Sequence, residues 1–263
     1  MFAGIRGNVL TMEVLLFPLV LPVFTIPMLT VVQRRFGHRL GGRLAGLPTT
    51  TLPLLLALLM LDGTEAAAHA ARGIVAGQLV FVAFCLGYGR LGRWVRTPTA
   101  AVVVALVVAA AAFSFAADSS PWTAAVVALA AVIAGLVTWT APGPVEPSPA
   151  PRWDAPVRVL VTVSVLAGLA VVARFLGPQL AGLLSCVPVV LTILASSTHH
   201  RSGFPAAETL VRGALRSAPA TLTFAVITAF GLPHFGPIAL GAALAGLIVT
   251  DQLVGRLLAQ VSR

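Results

Sequence analysis

The chain has 263 residues, of which 58% are hydrophobic and only 10% charged, whereas soluble domains carry about 25% charged residues. So few charges cannot cover the surface of a soluble fold, which excludes a soluble enzyme or binding domain of this length. The net charge is +9, and every basic residue is an arginine beside an apolar run. This placement favours the positive-inside bias of membrane proteins over nucleic-acid binding.

Apolar runs of span length follow one another along the chain, each long enough to cross a hydrocarbon core of about 30 Å. They predict an all-α, polytopic membrane protein with about nine spans. The predicted spans are 8–32, 44–61, 66–89, 98–117, 121–141, 156–176, 180–198, 206–230 and 236–258. Pro48, Pro53 and Pro188 interrupt the two short spans, 44–61 and 180–198, which are predicted to be broken or re-entrant helices. Because no small-residue cleavage site follows the first apolar run, no removable signal peptide is predicted.

A proline-rich segment, 142–155, predicts an extended linker. It separates a first membrane repeat that carries the extra span 121–141 (residues 1–141) from a second membrane repeat (residues 156–263). With nine spans, most loop arginines share a side with the C-terminus, which the positive-inside rule places in the cytoplasm, with the N-terminus outside. These arginines are Arg34, Arg35, Arg39, Arg43, Arg90, Arg93, Arg96, Arg152, Arg201 and Arg263. The predicted location is the bacterial plasma (inner) membrane.

An internal repeat appears when the sequence is shifted by 140 positions. The segments 31–73 and 171–213 then align without a gap and share 14 of 43 residues, including glycine, proline and arginine pairs. Four spans per copy, with 121–141 between the copies, predict two inverted four-span repeats plus one linking helix. Inverted repeats build many secondary transporters, whose substrate site lies at the repeat interface beside short, interrupted segments. The predicted gate or broken-helix positions are Gly42, Pro48, Gly182 and Pro188.

The second copy carries the pattern "GPQLAGLLSCVPVV" followed by "SSTHHRSGFPAAETLVRGAL". An apolar segment with a proline, a polar turn and a helix with an early arginine occur in that order. In this respect the chain resembles the GlpM family of small bacterial inner-membrane proteins, over about 180–231 and more faintly over 40–89. The resemblance implies a fused, duplicated version of that family's membrane fold rather than a particular activity. The length, the extra span and the proline-rich linker depart from the family.

Arginines within or at the ends of spans are the predicted binding residues for an anionic substrate, because a guanidinium holds phosphate or carboxylate through two parallel hydrogen bonds. They are Arg72, Arg212, Arg174 and Arg34, with Glu208 one turn before Arg212. The alternatives are snorkelling to lipid headgroups and a structural Glu208–Arg212 ion pair. Asp251 and Glu208 are the predicted proton-coupling carboxylates, because an acid inside a span is costly without a task or a partner.

Catalytic motifs are absent from the sequence. No phosphate-binding loop, HExxH motif or serine-nucleophile elbow occurs, and no catalytic residue, metal or cofactor is predicted. His199 and His200 are adjacent and cannot share a helix face, so a polar turn is predicted there rather than a metal pair. Cys85 and Cys186 are predicted to be small buried hydrophobes.

The sequence predicts a secondary transporter or lipid flippase that moves an anionic substrate, either a polyprenyl phosphate or a small organic anion. One alternative is a non-transporting scaffold for envelope polysaccharide synthesis, in which the charged residues are structural. Another is a membrane-embedded enzyme that acts on a lipid through Glu208 or the histidines. The predicted partners are membrane lipids, the anionic substrate or lipid phosphate, and a second copy in a homodimer, but not nucleic acid.

Overall fold

The computed structural model describes residues 28–29, 31–33, 35–95, 97–139 and 154–261. Within this part of the chain the secondary structure is helical and contains no β-strand. The helices are α1 (His38–Ala45), α2 (Thr51–Leu61), α3 (Gly63–Leu86), α4 (Pro98–Asp118), α5 (Pro121–Thr138), α6 (Asp154–Leu184), α7 (Val189–Ser202), α8 (Phe204–Phe235) and α9 (Ile238–Val261). A π-helical turn and a 3-10 turn extend α3 to Trp94.

Five described helices are long and apolar enough to cross a membrane. They are Gly63–Trp94, Pro98–Asp118, Pro121–Thr138, Phe204–Phe235 and Ile238–Gln260, and each coincides with one predicted span. A sixth arises if the bent pair Phe175–Leu184 and Val189–Ser202 is counted as one span. Five or six candidate spans are compatible with a polytopic membrane protein. The first predicted span, 8–32, lies almost wholly outside the described residues.

Each of the two short predicted spans contains a helix break near its start. Pro53, the third predicted interruption, lies inside α2. Residues 46–50 separate α1 from α2, and residues 185–188 separate α6 from α7, with a bend of 42° at the second break. Pro48 and Pro188 lie in these breaks, where the absent amide hydrogen of proline cannot continue a helical ladder. The predicted gap between spans 156–176 and 180–198 coincides with a kink in α6, because Gly177 in that gap has a non-helical backbone.

The direction of α6 changes at Gly177, which has φ 78° and ψ 168°. Gly37, 140 positions earlier, has φ 88° and ψ 168° directly before α1. Glycine adopts this backbone conformation readily because it has no Cβ. The same spacing relates Gly63 and Gly203, whose φ angles are 86° and 80° at the starts of α3 and α8.

The core of the bundle is the pair α3 and α8. These two helices pack on each other, α1 packs on α8, and α6 packs on α3. An 18-residue apolar stretch of α3 and its extension is 83% buried inside the bundle. The corresponding stretches of α4 and α9 are 22% buried, and these helices turn valine and isoleucine side chains outward. Such apolar outer faces are suited to lipid.

Glycines permit the closest helix crossings. Alanine methyl groups at Gly42, Gly73, Gly182 and Gly213 would overlap the backbones of Leu210, Gln179, Ala70 and Arg39, respectively. The contacts come in reciprocal pairs. Gly42 of the first segment meets Leu210 of the second, and the positions equivalent to these two, Gly182 and Ala70, also meet. Small residues at helix crossings let backbones approach closely inside a membrane protein.

Candidate functional site

A cavity lies where the two broken helices meet. Its lining consists of residues 45–51 from the first break, residues 185–191 from the second, and Gln78, Phe81 and Thr221 from the central helices. Every lining position in the two breaks therefore has a counterpart 140 residues away, and Phe81 and Thr221 are also such a pair. The cavity contains about 450 Å³ of empty space, part of it on its open side. The predicted broken-helix residues Pro48 and Pro188 both line it.

Hydrogen bonds across the cavity tie each break to the opposite half of the chain. Thr50 Oγ1 donates to the Ser185 carbonyl oxygen at 3.1 Å, and Thr221 Oγ1 donates to the Gly46 carbonyl oxygen at 3.0 Å. A helix leaves its last carbonyls without partners inside the helix. These two hydroxyls satisfy carbonyls at the ends of α6 and α1.

Two polar atoms at the cavity wall remain without a partner. Gln78 and Thr51 are each 3% exposed, and Gln78 Oε1 and Thr51 Oγ1 are buried with no hydrogen-bond partner among the described residues. A buried polar group without a partner costs roughly 1–3 kcal/mol. Because both residues line the cavity, a polar ligand in the cavity would be within their reach.

The lining contributed by the described residues contains no charged side chain. Gly42 and Gly182 also lie outside the lining, since they form the crossings with α8 and α3. Of the predicted substrate-binding arginines, neither Arg72 nor Arg212 reaches the cavity. Arg34 lies outside the described residues, and Arg174 lies within α6.

Four arginines instead form a group beside the cavity, which we call the arginine cluster: Arg39 and Arg43 of α1 with Arg212 and Arg216 of α8. Arg212 interacts electrostatically with Arg39 and Arg216, and Arg216 with Arg39 and Arg43. Two carboxylates, Glu208 and Asp251, take part in the same interactions. Four cations against two anions leave an excess of two positive charges.

The arginine cluster has no counterpart around Arg72. The positions equivalent to Arg39, Arg43 and Arg216 are Gln179, Leu183 and Ala76, which carry no charge. Arg72 and Arg212 occupy equivalent positions, but among the described residues the structure groups basic side chains around Arg212. The alignment of the two copies already shows this asymmetry, because the three equivalent positions are uncharged.

Asp251 forms an ion pair with Arg43. The carboxylate of α9 receives hydrogen bonds from Arg43 Nε, at 2.9 Å, and from Arg43 Nη2. The side chains are 27% and 15% exposed, so the pair is partly buried. Planar, two-point contacts of this kind are the strong form of an ion pair. The ion pair links α1 to α9. It also engages Asp251, the residue predicted to couple protons.

Glu208 and Arg212 share Trp139 rather than contacting one another directly. Trp139 Nε1 donates to Glu208 Oε1 at 2.7 Å, and Arg212 Nε donates to the Trp139 carbonyl oxygen at 3.1 Å. Trp139 is 4% exposed, and its ring lies against Gly89. The end of α5 is thereby fixed to α8 by two hydrogen bonds.

The histidine pair differs from its prediction. His199 and His200 belong to the last turn of α7, so the prediction of a polar turn was wrong. His199 is buried, and its Nδ1 lies 3.2 Å from Tyr88 Oη. Nearby, Gln33 Nε2 donates to Thr198 Oγ1 at 2.8 Å. Sequence reasoning missed both contacts because in each of them the two partners lie more than 100 positions apart in the chain.

The described residues hold no group of three or more histidine, cysteine or acidic side chains suited to a metal ion. Cys85 and Cys186 are buried and unpaired, as predicted. The chain matches no protein-family model, no curated protein and no solved structure. The resemblance to the GlpM family therefore stays a prediction.

Asp251→Asn is expected to destabilise the protein by about 1–3 kcal/mol, because it removes the anion bonded to Arg43 and leaves that arginine among three other cations. The free energy of unfolding in detergent micelles measures the effect. Arg256→Gln is the control, since Arg256 is an exposed arginine on the same helix. If Asp251 instead carries a coupled proton, the Asp251→Asn protein would keep its stability and lose the pH dependence of substrate flux.

Proposed function

We propose that this protein is a secondary transporter for an anionic substrate and that the cavity between the two broken helices is its substrate site. One observation carries the proposal: two helix breaks, 140 residues apart, line one cavity with equivalent positions. Irregular backbone at membrane depth is tolerated where it lines a cavity, and transporter sites use such segments.

The proposal includes two inverted four-span repeats, nine spans and a GlpM-like fold. Reciprocal contacts such as Gly42 with Leu210 and Gly182 with Ala70 support it, because a two-fold axis between like units generates such pairs. The matched backbone angles at Gly37 and Gly177 support it as well. A two-fold axis in the membrane plane would make the halves opposite in orientation, so that each could in turn open the cavity to its own side.

The arginine cluster suits the approach of an anion. An excess of positive charge at the rim of a cleft raises the local concentration of anions and their rate of entry. Arg216 lies five residues before Thr221 on α8, a rise of about 7.5 Å, so the cluster is near the cavity but outside it. In the proposed orientation, with the N-terminus outside the bacterial plasma membrane, this rim faces the cytoplasm.

Flux and accessibility together test the proposal. In proteoliposomes, we expect flux of at least one probe among chloride, acetate, inorganic phosphate and a fluorescent short-chain polyprenyl phosphate. Ser185→Cys, in a background carrying Cys85→Ala and Cys186→Ala, places a reactive thiol at the cavity. Sulfonatoethyl methanethiosulfonate should label this thiol and block the flux, because the added group fills the substrate site.

Val126→Cys in the same background is the matched control, since Val126 is 68% exposed on the outer face of α5. The same reagent should leave its flux unchanged. Absence of flux for every probe, together with an unreactive Ser185→Cys thiol from both sides of the membrane, would contradict transport.

A non-transporting scaffold is the second candidate. Two observations favour it: Arg212 donates to the Trp139 carbonyl, and Arg43 is paired with Asp251. In a scaffold these arginines hold helices together and the cavity conducts nothing. The flux experiment above distinguishes the two candidates.

A further inference from the structure

We infer that the cavity binds a compact monoanion, a carboxylate on a small apolar body, through the helix N-termini of α2 and α7 together with Thr51 and Gln78, and not through arginine. This inference rests on the proposed function, since it takes the cavity as the substrate site. It selects the small organic anion over the polyprenyl phosphate.

Both half-helices that leave the cavity begin without a cap. α2 starts at Thr51 and has 11 residues, α7 starts at Val189 and has 14, and neither has a side-chain cap or an acidic residue in its first turn. The first amides of a helix have no carbonyl partner within the helix. Residues 49–51 and 189–191 both line the cavity. The amides of Thr49 and Val189 already donate to nearby carbonyls. The amides of residues 50–51 and 190–191 remain as two sets of donors that border the same space.

The opposite helix ends are already neutralised. The carbonyls of Gly46 and Ser185, which follow α1 and α6, accept hydrogen bonds from Thr221 and Thr50. The cavity thus borders free amides at the two helix starts and bonded carbonyls at the two helix ends. This imbalance favours an anion over a cation.

Two side chains are also placed to meet the ligand. Thr51 Oγ1 and Gln78 Oε1 are buried at the cavity wall without partners. A hydroxyl donates directly, and an amide offers its nitrogen instead of its oxygen after rotation by 180°. These groups point to a ligand independently of the helix starts, and they define its hydrogen-bonding end.

The charge of the ligand follows from what neutralises it. No charged side chain is among the described lining residues, and each helix start contributes roughly half a positive charge. Two starts therefore balance about one negative charge, as on a carboxylate, and would leave a doubly charged phosphate undercompensated. Phe81, Val187, Val190 and Leu191 line the remainder and suit an apolar body.

Calorimetric titration of the full chain in detergent tests this inference with propionate, its neutral isostere propionamide and inorganic phosphate at constant ionic strength. The pH is kept above neutrality, where inorganic phosphate is mainly a dianion. Propionate should bind, and propionamide and phosphate should bind at least about ten-fold more weakly. Thr51→Val keeps the shape of the side chain and should weaken propionate binding by about 10-fold to 100-fold, as expected for a lost hydrogen bond to a charged group. Gln78→Leu removes the amide from the cavity wall and should also weaken propionate binding by at least about ten-fold.

Thr192→Val is the matched control. Thr192 Oγ1 donates to the carbonyl oxygen of Pro188, four residues earlier, and Thr192 does not line the cavity. Its propionate affinity should stay within about two-fold of the parent. Three results would overturn the inference. Propionamide could bind as tightly as propionate, or propionate could fail to bind. Alternatively, Arg216→Gln could lose propionate binding while Thr51→Val keeps it. Propionate binding without any flux refutes the proposed function alone, and flux without preference for the carboxylate refutes this inference alone.

Discussion

Replacing Gly42 by alanine is expected to destabilise the protein by about 3 kcal/mol, near the upper end of the usual effects of overpacking. The added methyl group would overlap the carbonyl oxygen of Leu210, where α1 crosses α8. A flexible side chain could rotate away from such a contact, but a helix backbone can only move as a unit. The helices must separate, and the contacts along their crossing weaken together.

Gly182→Ala should have an effect of similar size, because the equivalent methyl group would overlap the carbonyl oxygen of Ala70 on α3. Unfolding of both variants in detergent, followed by tryptophan fluorescence, gives the free energies. Gly241→Ala is the control: a methyl group at Gly241 on α9 would meet nothing within 4 Å. Alanine there should be neutral or stabilise by up to about 1 kcal/mol, since it is the better helix former.

A loss at one crossing and none at the other would contradict the reciprocal packing on which the proposed repeat depends. Equal losses in all three glycine variants would mean that the effect is not specific to the crossings.

Trp139→Ala is expected to cost about 3–5 kcal/mol, the range for removal of a large buried aromatic side chain. The substitution empties the space beside Gly89 and removes the donor that satisfies Glu208. Trp139→Phe removes the Nε1–H bond and also the outer part of the indole ring, which lies against Gly89, so a loss between those of the parent and Trp139→Ala is expected.

The same unfolding assay compares these variants with Trp94→Ala, whose side chain is 74% exposed. A loss in Trp94→Ala equal to that in Trp139→Ala would show that the packing of Trp139 is not the cause. If Trp139→Phe proves as damaging as Trp139→Ala, the outer indole ring and its hydrogen bond to Glu208 contribute more than the part of the side chain that phenylalanine keeps.

Much of the helical framework was predictable from local sequence. The spans at 98–117 and 236–258 coincide with α4 and α9 because an apolar segment of that length has to satisfy its own backbone as a helix inside a membrane. The breaks near Pro48 and Pro188 were predictable for an equally local reason, since proline lacks the amide hydrogen that the helix needs. The prediction of broken-helix positions at Gly42 and Gly182 was wrong, because both lie inside helices, where they permit close crossings.

Side-chain partners, by contrast, were decided only by the tertiary structure. Hydropathy indicates that a charge inside a span needs a partner, but not which one: Asp251 pairs with Arg43, which lies 208 positions away in the sequence. Spacing also placed Arg72 and Arg212 at equivalent positions, yet only the neighbours brought by α1 make one of them part of an arginine cluster. The cavity itself exists because helix packing brings together two breaks that are far apart in the chain, and a local pattern cannot encode that distance.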